Sequence, residues 1–219
     1  MAYLQSQGTA QLLELNWYPG TAALTEGDEL DHLSFRVEDA DRQFDRLRDL
    51  GWKSALEPFD EGSSRLAYVA EENGLWVQLQ SSREPKLLPA SPPYFEYTGI
   101  RVWDIARSYA SYNRHFYMKR LWSGKVPETG GEILGMVDEQ STEYLELNWY
   151  PDIAYRNGDE IDHVAFETTN CVDAYKHLLR KVVTAAKEPF REGKWMLAYV
   201  KDPDGIWIEV GSVALKVVA

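Results

Sequence analysis

Two stretches of this chain are near copies of each other. LLELNWYPGTAALTEGDELDH occupies residues 12–32 and YLELNWYPDIAYRNGDEIDH residues 144–163, sharing the order Leu-Glu-Leu-Asn-Trp-Tyr-Pro, polar loop, Asp-His. Chance is a poor explanation for that order, so the fold must be built from a duplicated unit. The frame extends well beyond the quoted stretches. His32 and His163, Pro58 and Pro189, Tyr68 and Tyr199, and Gln78 and Glu209 are each 131 positions apart, whereas Glu14 and Glu146 are 132 apart. One residue of loop length changed between the first pair and the rest, and the register held.

Each unit reads as strand, helix and three strands. Residues 3–18 form a hairpin pattern around a Gly-containing turn, with Leu13, Leu15 and Trp17 alternating against Glu14, Asn16 and Tyr18. ELDHLSFRV is a strand, Asp39 a helix N-cap, and Ala40, Phe44, Leu47 and Leu50 a helical stripe ended by Gly51. RLAYVA and LWVQLQ are extended pieces about the turn-like EENG. Residues 83–93 hold four prolines and read as a linker. The pattern restarts at YTGIRVWD, with Asp104 as a cap and Ile105, Tyr109, Tyr112 and Phe116 as the stripe. Runs at residues 121–125 and 131–137 lead into YLELNWY. A further unit opens at IDHVAFET, has its helix from about Asn170 to Val183, and ends in MLAYV and GIWIEV. The expected organisation is an incomplete domain over 1–82, the linker, and a complete domain over 94–219. The first copy lacks the counterpart of Phe95 to about Leu134, so either a longer protein has been trimmed at its start or another chain completes the first sheet.

At 219 residues, with 44% apolar and 26% charged side chains, the chain has the composition of an ordinary globular protein. A net charge of −12 argues against a nucleic-acid partner, which needs clustered Lys and Arg. No apolar run approaches membrane-spanning length and no secretory leader opens the chain, so a cytoplasmic protein with no membrane partner is expected. The lone cysteine, Cys171, is read as structural. His115 and His177, on helices, are read as surface groups.

Strand parity puts Tyr97, Gly99 and Arg101, then Tyr144, Glu146 and Asn148, then Ile161, His163 and Ala165, then Trp207, Glu209 and Gly211 on one face. The opposite rows, such as Ile100, Val102, Leu145, Leu147, Ile206, Ile208 and Val210, are apolar enough to lie under helices. Carboxylates and a histidine at strand centres are costly to bury unpaired. A divalent cation would relieve that cost, and the oxygen and nitrogen donors suit Zn, Ni, Co, Mn or Fe.

With these motifs in place the chain resembles the vicinal oxygen chelate superfamily, which includes glyoxalase I, bleomycin resistance proteins and extradiol dioxygenases, with glyoxalase I nearest. The resemblance implies an α+β fold of tandem βαβββ modules, whose curled mixed sheets carry their helices outside. It places ligand positions at Tyr97 in YTGIRV, Glu146 in YLELNW, His163 in DHVAF and Glu209 in DPDGIWIEV. In the partial copy it places them at Glu14, His32 and Gln78. The implied metal ligands are therefore Glu146, His163, Glu209, Glu14, His32 and Gln78, with Glu209 and Glu146 catalytic. Arg101, Tyr97, Trp149 and Trp207 are the implied substrate contacts. Tyr97 and Gln78 depart from the family pattern, as does Tyr150 where an asparagine is expected. The family also allows modules to pair across domains, so one cavity could combine Tyr97 and Glu146 with His32 and Gln78, and another Glu14 with His163 and Glu209.

The expected activity is a metal-dependent lyase or isomerase of the lactoylglutathione lyase type, acting on a small carbonyl compound or its thiol adduct. An extradiol-type dioxygenase and a non-catalytic, antibiotic-type binding protein are the alternatives. Self-association, as a homo-oligomer completing the first sheet, is expected at its unpaired edge.

Overall fold

The computed structural model describes residues 2–6, 11–20, 27–83, 92–126, 129–138, 144–156, 158 and 160–213. Most of the expected linker and the turn of the first hairpin lie outside the described residues. The fold is α+β, with mixed sheets and three helices among the described residues.

Strands β1 (Ala2–Gln5) and β2 (Leu12–Leu15) form an antiparallel hairpin. The next unit is β3 (Leu30–Arg36), α1 (Ala40–Asp49), β4 (Lys53–Glu61), β5 (Ser64–Ala70) and β6 (Trp76–Ser82). The third is β7 (Tyr94–Arg101), α2 (Ile105–Phe116), β8 (Lys119–Val126), β9 (Gly131–Val137) and β10 (Tyr144–Trp149). The last is β11 (Val164–Glu167), α3 (Cys171–Arg180), β12 (Thr184–Glu192), β13 (Trp195–Lys201) and β14 (Trp207–Val213).

The middle two units share one eight-stranded sheet, in the order β4-β5-β6-β3-β7-β10-β9-β8. At its centre β3 and β7 run antiparallel, while β3 pairs with β6 and β7 with β10 in parallel. The last unit forms a four-stranded sheet, β11-β14-β13-β12. Backbone ladders thus join residues 30–149 across the Pro-rich segment. The larger hydrophobic core joins a different span: Ile100, Leu145 and Leu147 pack with Tyr112, Tyr175, Ile208 and Val210 under α2 and α3. A smaller core of Phe44, Val69 and Leu79 lies under α1.

The capping residues act as the sequence implies. Asp39, Asp104 and Asn170 each accept a hydrogen bond from the backbone N–H three residues on, which satisfies an orphan donor of the first turn. Two strands escaped the hydrophobic pattern. β4 and β12 carry Pro58 and Pro189 and are mostly exposed, as edge strands with one free ladder can be. Strand β11 starts only at Val164, leaving His163 just before it, although its counterpart β3 includes His32. The reason lies in the neighbours: β3 is flanked by β6 and β7, whereas among the described residues β11 is paired only with β14.

The DPDG turn joins the last two units. The Asp204 carboxylate accepts from the Trp103 N–H at 3.0 Å, from Ser108 Oγ and from Arg107. The Asp202 carboxylate accepts from the backbone N–H groups of Asp204 and Ile206 and from the Tyr112 hydroxyl. Both carboxylates are buried. Removing one strands donors that water cannot reach. Asp204→Ala should therefore lower unfolding stability by about 3 kcal/mol, against about 1 kcal/mol for loss of the exposed cap in Asp104→Ala, as read from urea midpoints.

Candidate functional site

The implied ligand positions gather in two clusters rather than one. His32 on β3, Gln78 on β6, Tyr97 on β7 and Glu146 on β10 meet on one face of the eight-stranded sheet, all buried. Glu14 on β2, His163 and Glu209 on β14 meet at the second sheet. The four positions carried by residues 94–219 are thus divided between the clusters, because β7 and β10 pair toward β3 and not toward β14.

The clusters are copies in their walls. Asp31 holds His32 Nδ1 at 2.9 Å, and Asp162 holds His163 Nδ1 at 2.8 Å. Tyr68 stands edge-on to His32 and Tyr199 edge-on to His163, each at 5.6 Å between ring centroids. Phe59 stacks on Tyr68 as Phe190 stacks on Tyr199, and Trp76 and Trp207 lean on the same tyrosines.

They differ in how their polar groups are satisfied. In the first cluster Gln78 Oε1 accepts from Ser34 Oγ at 2.7 Å and from the Tyr97 hydroxyl at 2.7 Å, while its amide nitrogen donates to Tyr68. An amide oxygen with two donors has no lone pair left for a cation. Burial first, then the Glu146 charge, raises the Tyr97 pKa far above its ordinary value, so the phenol stays protonated. What is left is a pair: His32 Nε2 lies 3.6 Å from Glu146 Oε1 and has no hydrogen-bond partner. These residues do not fit a metal ion. Burial pushes the Glu146 pKa up to about 7 despite the opposing pull of His32.

In the second cluster Ala165 stands at the position of Ser34 and Glu209 at that of Gln78. Two carboxylates flank one imidazole: His163 Nε2 is 3.7 Å from Glu14 Oε2 and 3.7 Å from Glu209 Oε2. Tyr199 donates to Glu209 Oε2 at 2.5 Å. Among the described residues no three such donors are drawn close enough to hold a metal as placed. The donor set itself fits a divalent ion, with two carboxylates, an imidazole and a carboxylate orienting that imidazole through its other nitrogen. Desolvation opposes the charged form of His163. The Asp162 hydrogen bond and the charges of Glu209, Asp162 and Glu14 outweigh it, and its pKa is raised.

The implied substrate contacts are scattered. Arg101 is engaged by Asp31 at 3.1 Å and Asp28 at 3.3 Å and lies over the Tyr150 ring, so it braces the carboxylate that holds His32. Trp149 packs on the hydrophobic core. Trp207 is partly exposed beside Tyr199. Tyr68, Tyr199, Asp31, Asp162 and Ser34 also belong to the clusters, although neither strand parity nor the family resemblance singles them out. The repeat frame held the signal, since Ser34 and Gln78 change together to Ala165 and Glu209. Cys171 is fully buried, and desolvation pushes its thiol up to about 11, as an unreactive core residue requires.

Known proteins can be set against this geometry. The family model described as Glyoxalase/Bleomycin resistance protein/Dioxygenase superfamily matches residues 94–210. The chain belongs to this superfamily. The lactoylglutathione lyase of Salmonella typhimurium is 29% identical over 120 residues, covering 52% of this chain and 88% of that enzyme. The lactoylglutathione lyase of Neisseria meningitidis serogroup A is 30% identical over 119 residues, covering 52% of this chain and 86% of its own length. Among solved structures, glyoxalase I from Zea mays superposes with a TM-score of 0.79 at 21% identity, covering 96% of this chain and 77% of that one, which shows the fold.

Within this member of the superfamily the first cluster sets a pH dependence. Its Glu146 binds a proton up to about pH 7 when folded, against an ordinary value of 4.5. Between those values the folded chain holds the extra proton, so stability falls as pH rises through the window. Urea unfolding should show a loss of about 2–3 kcal/mol from about pH 5 to about pH 8, largely absent in Glu146→Gln.

Proposed function

We propose that this chain carries a metal-dependent lyase or isomerase centre of the glyoxalase type, built from Glu14, His163 and Glu209, for a small carbonyl compound or its thiol adduct. The observation that carries the reading is the single imidazole nitrogen of His163 facing two carboxylates at 3.7 Å each. The resemblance to lactoylglutathione lyases supports the reaction class.

Glu14, His163 and Glu209 would hold the ion, which when bound supplies positive charge to a substrate oxygen as charge develops there. The chain's own groups do the rest. Asp162 fixes the His163 ring so that Nε2 stays turned to the two carboxylates. Glu209 takes the proton from a carbon beside the carbonyl and returns it to the neighbouring carbon, a task for a carboxylate on the substrate's side of the ion. Tyr199 orients Glu209 through the hydroxyl it donates. Trp207 and Phe190, flanking Tyr199, give the substrate an apolar wall.

Metal titration read by elemental analysis should give binding that strengthens as pH rises through the His163 titration, because the ion displaces a proton from a group whose pKa is raised. His163→Ala and Glu209→Ala should lose the metal, while Glu146→Gln keeps it. Glu209→Gln should lower turnover of methylglyoxal with a thiol by about a hundredfold or more. No metal and no turnover after addition of Ni, Co, Zn, Mn or Fe would leave a ligand-binding protein, and ring cleavage of a catechol a dioxygenase.

We also infer that the chain self-associates through β1–β2. Tyr3, Leu4, Leu12 and Leu15 are half exposed or more on these short strands, and Trp17 follows them almost bare. Tyr3 and Leu12 lie on the face of the hairpin that carries Glu14, and Leu4 and Leu15 on the other, so both faces expose apolar surface, which supports burial against a second copy. Sedimentation should give a species heavier than the monomer, shifted toward monomer by Leu12→Glu with Leu15→Glu.

A further inference from the structure

The second cluster is assembled across a gap that the first does not have. Around His32 the sheet runs β3-β7-β10, so one strand, β7, lies between the strand bearing the imidazole and the strand bearing Glu146. The repeat frame makes β11 the counterpart of β3 and β2 the counterpart of β10. Among the described residues β11 pairs only with β14 and β2 only with β1, so the two facing edges share no ladder. Side chains nevertheless meet over the gap as they meet over β7. Glu14 Oε2 lies 3.7 Å from His163 Nε2, against 3.6 Å between Glu146 Oε1 and His32 Nε2. The Tyr18 hydroxyl, from just beyond β2, donates to Asp162 at 2.7 Å. The same reach between the same side chains makes the slot between β2 and β11 one strand wide. Its flanks are correspondingly bare. Leu15 is 50% exposed where Leu147 is fully buried, and the Asp162 side chain is 38% exposed against 9% for Asp31.

The charges along this slot are acidic. In the first copy β7 brings Arg101 to Asp31 and sets Glu96 against the buried Arg36. The corresponding places on β11 hold Asp162, whose partners are His163 and Tyr18, and Glu167, an exposed carboxylate with no ion-pair partner among the described residues. Arg36 has thus become an acid while Asp31 has stayed one, so a strand matched to this slot carries a cation at both positions. Beside the imidazole the demand is steric. His163 meets Tyr199 at 5.6 Å and 79°, as His32 meets Tyr68 at 5.6 Å and 80°. A ring so placed needs the room that Gly99 leaves for His32.

We propose that the slot between β2 and β11 binds an extended, basic segment of another polypeptide, parallel to β2 and antiparallel to β11. Its glycine lies against His163, an arginine two residues later meets Asp162, and a lysine or arginine three residues before the glycine meets Glu167. No stretch of this chain has that spacing of basic residue, glycine and arginine, so a second copy does not supply it. Strand addition satisfies two open edges at once, and the side chains set the preference. These edges are a different surface from the apolar faces of the hairpin.

Peptides of residues 94–103, the segment that fills the equivalent place in the first copy, test this by calorimetric titration of the full chain. No metal is added, so the outcome is independent of the metal centre. The peptide carrying Glu96→Lys should bind saturably, one per chain, and about tenfold more tightly than the unchanged peptide, the difference shrinking as salt is added. Adding Gly99→Ala or Arg101→Gln to the Glu96→Lys peptide should each weaken binding about tenfold or more. Amide exchange should slow at residues 12–15 and 164–167, the edges that gain a ladder. Absence of saturable binding by the Glu96→Lys peptide, affinity indifferent to both further substitutions, or exchange unchanged on both edges would overturn the proposal.

Discussion

The antiparallel ladder between β3 and β7 is the contact on which the central sheet depends. It seats the His32 ring against Gly99, where an added Cβ would lie 2.6 Å from the ring. No side chain other than hydrogen leaves the imidazole room there. Once that pairing is set, the parallel neighbours β6 and β10 deliver Gln78 and Glu146 to the same face, and a slip of one residue would turn all of them into the core. The ladder explains why modules distant in sequence share a cluster. The strand that pairs beside β7 decides the partner, and chain continuity does not.

The same duplicated wall then arrives at two electrostatic states. A buried carboxylate must find donors, a cation or a proton. Around His32 the chain supplies donors: Ser34 and Tyr97 saturate Gln78, and Glu146 takes a proton up to about neutral pH. Around His163 the hydroxyl of Ser34 is absent and the amide is a carboxylate, so Glu14 and Glu209 face one imidazole, with Tyr3 hydrogen-bonded to Glu14 and Tyr199 to Glu209. A closed hydrogen-bond network gains stability and loses coordinating capacity. An under-satisfied set of anions does the reverse, and only the second has anything to offer a cation.

Much of this was legible in the sequence. The repeat frame, the caps at Asp39, Asp104 and Asn170, and the alternation of core rows with polar rows all follow from local rules that tertiary context did not override. The two cavities that pairing across domains would form were also visible. Which strands pair was not, because partnership is set between segments far apart in the chain, as Phe35 and Phe95 are. β4 and β12 were missed for a local reason: prolines and charges on an exposed edge mimic a loop. The extent of β11 was misjudged because strand length depends on neighbours, and parity says nothing about whether a neighbour exists.

Arg101 marks the limit of carrying a role across a resemblance. An arginine beside a polar cavity invites a substrate carboxylate, yet Asp31 and Asp28 already meet its guanidinium, and Asp31 passes that constraint to His32. A substrate anion would have to displace two internal carboxylates from a partly buried site, at a desolvation cost an external ligand rarely recovers.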